Sequence, residues 1–163
     1  MKPRRFPLHC PIVRQDETAL VREAVRRAQE FLERGEKLLP AAYMLVQVNP
    51  QTGGKLTHPT AIGLTRDKPF ESQAAYLEFA ASVRDEAHRL RALAVAISGE
   101  ASAELEDGGM QRVLYVRVED ADGVHHLHAA VEQAASGALS LGPLYDAGSA
   151  EDDLPEPLLR REH

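Results

Sequence analysis

The spacing of apolar residues changes near the middle of the chain, and this change limits the folds available to it. Two segments, at about 16–34 and from Ser72 to about Arg91, carry apolar residues at helical spacing and predict two amphipathic helices. From Ala92 onward the apolar residues alternate with small or polar ones, which predicts β-strands. Helices and a run of strands in separate parts of the chain predict the α+β class.

Turn-forming residues divide the strand segments into hairpins. The runs Ala41–Val48 and Lys55–Thr65 flank the sequence Asn-Pro-Gln-Thr-Gly-Gly, and Pro59 implies either a sheet edge or a break in the second run. Further on, Asp107-Gly108 and Asp122-Gly123 each lie between apolar runs, which indicates hairpins. We therefore expect an antiparallel sheet of about six strands, in the order α-β-β-α-β-β-β-β, with both helices packed on one face.

Two-residue loops at the Asp-Gly pairs would set a definite register. Val118 would lie opposite Leu127, and Ile97 would lie opposite Val118. The same register predicts three further cross-strand pairs, which are Val116 with Ala129, Leu114 with Val131, and Glu119 with His126. It also places Arg117 opposite His128. The apolar partners would form one continuous core face across three strands.

The chain length fits one domain of ordinary size. The chain has 163 residues, and a chain of this length buries enough surface to form a core without disulfides. We expect an extended N-terminal segment at 1–15, a single α+β domain at 16–147, and an acidic, Pro-containing C-terminal tail at 148–163 that is either mobile or a peptide arm.

Composition argues against several function classes. The net charge is −6 and aromatic residues make up 5% of the chain, which counts against nucleic-acid binding because charge and stacking are both unfavourable. One cysteine excludes an internal disulfide, and the sequence contains no signal peptide or membrane-spanning run. We expect a cytoplasmic protein that binds neither nucleic acid nor membrane, and no cofactor is predicted.

The histidines of the fifth predicted strand are the candidate metal ligands. Alternation places His126 and His128 on one face and His125 on the other, and Glu132 shares the face of the pair. With Gly123 these residues are partly similar to the first cupin motif, although the Gly-to-His spacing is too short and the second motif is absent. The alternatives are a solvated outer face or a covered, pH-sensitive interface.

The sequence contains no phosphate-binding glycine motif, no Cys-x-x-Cys and no Gly-x-Ser-x-Gly. We therefore predict no catalytic residues and favour a non-catalytic binding or protein-interaction module. It would be a homodimer or bind a protein partner through the mixed outer face of the sheet, whose predicted interface residues are Val113, Tyr115, Arg117, Glu119 and Val124. The alternative is a metal-binding protein or metal-dependent enzyme that uses the His-x-His strand.

The order of elements resembles that of roadblock and profilin-like sheets and, more loosely, that of PAS or GAF sensor domains. The resemblance is one of topology alone. It implies a ligand-sensing or scaffold domain, and a PAS-like sensor would need an apolar pocket of roughly 300 Å³ or more between the sheet and the helices.

Overall fold

The computed structural model describes residues 4–5, 15–147, 154 and 156–159. The two helices are α1 (Gln15–Glu33) and α2 (Gln73–Arg89). The strands, in chain order, are β1 (Arg4–Arg5), β2 (Ala41–Val48), β3 (Lys55–Thr65), β4 (Ala94–Glu104), β5 (Met110–Asp120), β6 (Gly123–Gln133), β7 (Leu139–Leu141) and β8 (Tyr145–Asp146). The predicted fold class and element order are confirmed. The two-residue strands β1 and β8 were not predicted.

The strands form an antiparallel sheet with the order β1-β8-β6-β5-β4-β2-β3, and β7 also pairs with β6. The edge position predicted from Pro59 is confirmed, because β3 lies at one end of this order. Of the predicted N-terminal segment at 1–15, only β1 and the first residue of α1 lie within the described residues.

Local sequence accounts for the ends of both helices. At the start of α2, the Ser72 hydroxyl accepts a hydrogen bond from the Ala75 N–H at 3.1 Å, which satisfies an N–H that the helix itself leaves unpaired. Helix α1 ends at Glu33, and Gly35 follows with a φ of 70°, which suits a residue without a Cβ. Helix α2 ends at Arg89 and is followed by Leu90 and by Arg91, whose φ of 53° is left-handed although the residue carries a Cβ.

The two helices cover opposite faces of the sheet, so the prediction that both pack on one face is wrong. Ala41, Tyr43 and Leu45 pack in the cluster that contains α1, whereas Ala42, Met44 and Val46 of the same strand pack in the cluster that contains α2. Successive residues of a strand point to opposite faces. The six buried residues Ala41–Val46 are apolar without alternation, which is typical of a strand that is covered on both sides.

The register between β4 and β5 differs from the prediction by one residue. Ala96, not Ile97, lies opposite Val118, because the loop around Asp107-Gly108 has three residues instead of two. The Leu105 N–H donates to the Gly109 carbonyl at 2.8 Å, and Gly108 takes a φ of 84° between them. A shift of one residue moves a side chain to the other face, so Ile97 packs on the α2 side.

The register between β5 and β6 differs by two residues, so the predicted faces remain correct. The turn uses Ala121-Asp122, and the Asp120 carboxylate accepts hydrogen bonds from the N–H groups of Asp122 and Gly123 at 2.7 and 2.9 Å. The observed pairs are Val118 with His125, Val116 with Leu127, Leu114 with Ala129, Glu119 with Val124, Arg117 with His126 and Tyr115 with His128. The residues of β5 and β6 that were predicted to face the core therefore do so, but each pairs with a residue two positions from its predicted partner.

The predicted mobile tail at 148–163 packs on the domain at its described residues. Leu154, Leu158 and Leu159 are buried in the cluster that contains α2, and Glu156 forms an ion pair with Arg84 of α2 at 2.6 Å. The remaining residues of the segment lie outside the described part. Because its three leucines are buried, this segment is part of the hydrophobic core.

Candidate functional site

A cleft of about 460 Å³ lies between the start of α2 and the α2 side of β5 and β6. This volume falls within the range of small-molecule sites. Its walls combine aromatic rings, imidazoles and the polar groups at the helix start, and the residues used below are Phe70, Ser72, Tyr76, Tyr115, His126 and His128. With Ala101 of β4 also in the lining, the site draws on a loop, a helix and three strands.

The imidazole pair occupies one side of this cleft. His126 and His128 share a face as predicted, since they lie two residues apart on β6 opposite Arg117 and Tyr115. The Nε2 atom of His126 is buried and has no hydrogen-bond partner in the described part of the chain. A buried polar atom in this state is uncommon in folded proteins and calls for an explanation.

His128 is half-buried and lies edge-on to an aromatic ring. Its ring centroid is 6.0 Å from that of Tyr145, at an interplanar angle of 71°. Burial, and secondarily the neighbouring His126, lowers the pKa of the His128 imidazole below its ordinary value of 6.5. His128 is therefore uncharged at neutral pH and offers one ring nitrogen as donor and one as acceptor.

Aromatic side chains from distant parts of the chain meet at the cleft. The protein has four Phe and four Tyr, and Phe70, Tyr76 and Tyr115 line this one site. Phe70 and Tyr76 contact edge to face, with centroids 5.3 Å apart and planes at 82°. Sequence reasoning missed this cluster, because the three residues come from a loop, a helix and a strand and share no local pattern.

The charged groups around the cleft are paired with each other. Glu71, an exposed lining residue, accepts a hydrogen bond from Arg66 at 2.7 Å and lies 3.8 Å from Lys68. A hydrogen bond from its own backbone N–H, and then the Arg66 guanidinium, hold the pKa of the Glu71 carboxyl below its usual range. Arg66 also lies over the Phe70 ring at 5.3 Å. One carboxylate thus faces two cations, which leaves a net positive charge on this side of the cleft.

A buried ion pair lies next to the imidazoles. Arg117 Nη2 donates to Glu119 Oε1 at 2.9 Å, and the two side chains are 1% and 0% exposed. The Glu119 carboxylate also accepts hydrogen bonds from the backbone N–H groups of Leu158, at Oε1 and 3.1 Å, and Leu159, at Oε2 and 2.8 Å. The C-terminal segment thus covers this carboxylate.

This burial corrects the predicted interface. Val113, Arg117 and Glu119 lie inside the fold, because α2 and the C-terminal leucines cover a face that the sequence interpretation left open to solvent. Tyr115 and Val124 are half-buried, and Tyr115 belongs to the cleft. The five residues therefore do not form one exposed surface.

The predicted metal ligands are not brought together. His126 and His128 line the cleft, whereas the Glu132 carboxylate lies against Gly142, where an added Cβ would be 2.6 Å from its Oε1. Across 4–5, 15–147 and the described C-terminal residues, no three His, Cys, Asp or Glu side chains are placed to hold a metal ion. The third predicted ligand, Glu132, is therefore not grouped with His126 and His128.

Comparison with known proteins gives no relative. No protein-family model matches the chain, and no curated protein or solved structure matches it. Within the described residues, neither helix has the length and apolar character needed to cross a membrane.

Proposed function

We propose that the protein is a non-catalytic binding module whose site is the cleft beside His126 and His128. The observation that carries this proposal is the cleft of about 460 Å³, in which aromatic rings, the imidazoles of His126 and His128 and the polar groups at the start of α2 meet. An unsatisfied buried polar group costs about 1–3 kcal/mol. Nε2 of His126 is such a group, and because it has no exposed surface, a ligand can bond to it and recover that cost only when the His126 side chain shifts towards the cleft.

The surroundings of the nitrogen support the same proposal. The cleft joins a small number of polar groups to aromatic walls, which is the usual composition of a ligand site. Ser72 and Gln73 lie at the start of α2 and add hydrogen-bonding groups. This arrangement fits the ligand-sensing alternative of the sequence interpretation better than a flat protein interface.

A fragment screen observed by amide chemical shifts tests the proposal. We expect fragments that shift the amides of residues 70–76, 115 and 126–128, and we expect His126→Ala to weaken their binding by about tenfold or more, which corresponds to about 1.4 kcal/mol. His125→Ala is the matched control, because His125 is the neighbour on the opposite face of the same strand. Equal losses in the two variants, or no fragment at the cleft, would refute the proposal.

The metal alternative is an arm of the same experiment. Zn²⁺ is added to the untagged chain, and its effect is compared with that of the fragments. Tight binding that requires both His126 and His128 would favour a metal site with ligands outside the described residues. Fragment binding that is unchanged by a chelator supports an organic ligand instead of a metal ion at this site.

A homodimer formed through β3 is a second candidate. This strand has eleven residues, most of them exposed, and its outer edge pairs with no other strand among the described residues. Such an edge can pair with a second chain. Light scattering over a range of concentrations should detect a dimer, and Thr60→Lys with Ala61→Lys should dissociate it. A wild-type chain that stays monomeric throughout would exclude this candidate.

A further inference from the structure

A second cavity, of about 430 Å³, lies where the hairpin between β2 and β3 meets the residues at the end of α2. Lys55, Arg89 and Arg91 line it, whereas no Asp or Glu of the described residues does. We call it the basic cavity. The cleft lies at the start of α2, and a helix of 17 residues is about 25 Å long. The basic cavity is therefore a separate place on the molecule.

Two of the three cations at the basic cavity are not compensated. Arg89 pairs with Glu86 through two hydrogen bonds of 2.8 Å, and a basic residue in the last turn also suits the helix macrodipole. Lys55 and Arg91 form no ion pair within the described residues. Lys55 belongs to β3, so the helix does not account for its position. The cavity is thus locally positive on a chain whose net charge is −6.

The backbone at Arg91 is an independent sign of function. Arg91 has a φ of 53° and is the only residue other than glycine with a positive φ among the described residues. Glycine takes this conformation without strain, whereas a residue with a Cβ does not. Strained residues of this kind concentrate at functional sites, and the Arg91 side chain lines the basic cavity. A role for its guanidinium would explain why a side chain occupies this position.

We propose that the basic cavity binds a small molecule through a dianionic phosphate group. A phosphate monoester carries between about 1.5 and 2 negative charges at pH 7, so one such group compensates both Lys55 and Arg91, whereas a carboxylate compensates one. The guanidinium offers paired N–H donors to phosphate oxygens, and the ammonium adds a point charge. The volume suits a small ligand, and the negative net charge of the chain opposes a long polyanion. This site does not rest on the proposed function of the cleft.

Three small probes of similar size test the ligand class. Glycerol 3-phosphate carries the dianion, glycerate carries a single carboxylate, and glycerol is uncharged. Each is titrated into the full chain at neutral pH and low ionic strength, because salt screens exposed charges, while backbone amide shifts are followed. We expect glycerol 3-phosphate to shift the amides of residues 47–55 and 89–91 and to bind about tenfold more tightly than glycerate. Glycerol should cause no such shifts. Inorganic phosphate, added in a fourth titration, shows whether the ion alone is recognised.

Substitutions at the two uncompensated cations assign the binding to them. Lys55→Met and Arg91→Gly should each weaken glycerol 3-phosphate binding by about tenfold. Lys37→Met is the matched control, because Lys37 is also exposed and has no ion pair within the described residues but does not line the basic cavity. Arg91→Gly also separates binding from folding, since it relieves the strained backbone. The melting temperature of this variant should rise while its affinity falls, and Arg91→Lys should retain more affinity than Arg91→Gly.

Several results would overturn the phosphate site. Glycerate binding as tightly as glycerol 3-phosphate would remove the need for a dianion, and equal losses in the Lys37 and Lys55 variants would show that general surface charge attracts the probe. Inorganic phosphate that binds while glycerol 3-phosphate does not would leave an adventitious ion only. An absence of shifts at residues 47–55 and 89–91 would contradict the proposal outright. None of these results affects the cleft beside His126 and His128.

Discussion

The two faces of the sheet are built in different ways. On the α1 face, helix and strands form one aliphatic cluster that includes Leu20, Leu45, Val116 and Leu127. On the α2 face, the helix covers β2 and β4, the C-terminal leucines pack near Glu119, and a cleft remains beside β6. One face thus has a cover drawn mainly from a single helix, and the other has a cover assembled from separate pieces.

The difference indicates where the polar and reactive groups can lie. The α2 face contains the buried pair of Arg117 and Glu119 together with the imidazoles of His126 and His128. A buried pair of charges contributes little net stability but is costly to break. We infer that the α1 face stabilises the fold, while the α2 face provides the site.

The largest expected effect is the loss of the buried carboxylate. Glu119→Ala should lower the free energy of unfolding by about 3–5 kcal/mol, because Arg117 would remain buried without its anion. On the other face, Leu127→Ala should cost about 2–5 kcal/mol through a cavity. Urea denaturation measures both values.

Hydrogen exchange distinguishes the two losses. Glu119→Ala should accelerate exchange of the Leu158 and Leu159 amides, which lose their acceptor, whereas Leu127→Ala should leave their exchange relative to the rest of the chain unchanged. The double variant Arg117→Met, Glu119→Leu should recover much of the stability without restoring that protection. Protection of both amides in Glu119→Ala would contradict the described contact.

A smaller effect is expected from pH. The folded-state pKa of His128 lies below 6.5, mainly because the ring is buried, so the unfolded chain takes up a proton before the folded one does. The stability associated with a neutral His128 is therefore complete above about pH 6.5 and falls as the pH drops towards the lowered folded-state value. His128→Gln should flatten this part of the profile of unfolding free energy against pH. A variant that keeps the full slope would show that other groups cause it.

The smallest changes in stability are expected at the C-terminal ends of the two helices, each of which covers one face of the sheet. Arg91→Gly should raise stability by about 0.5–1 kcal/mol, because a residue with a Cβ is strained at a φ of 53°. Gly35→Ala should lower stability by about 1 kcal/mol for the same reason, since Gly35 has a φ of 70°. Thermal unfolding of the two variants should show changes of opposite sign.

The sequence predicted those elements whose signals are local. Both helices have regular apolar stripes, and the Asp-Gly pairs mark real hairpins. Those pairs did not define the turns in full. Hydrogen bonds to the Asp120 side chain place one turn a residue before the predicted Asp122-Gly123 pair, and the loop at Gly108 has three residues instead of two. The placement of the helices was predictable in principle from the unbroken apolar run Ala41–Val46.

The cleft and its cover were beyond local patterns. Tyr115 is far in sequence from Phe70 and Tyr76, so their meeting depends on tertiary packing. Leu158 and Leu159 follow an acidic, Pro-containing stretch, which resembles a solvated tail by composition. Their burial depends on the acceptor that Glu119 provides from another part of the chain.

Nuclear Overhauser contacts of adjacent residues on β2 test the two-faced arrangement most directly. We predict that the Met44 methyl group shows contacts to α2 side chains such as Val83, and that the Leu45 methyl groups show contacts to α1 side chains such as Leu20. Contacts from either residue to both helices would place α1 and α2 on one face, and would contradict the account.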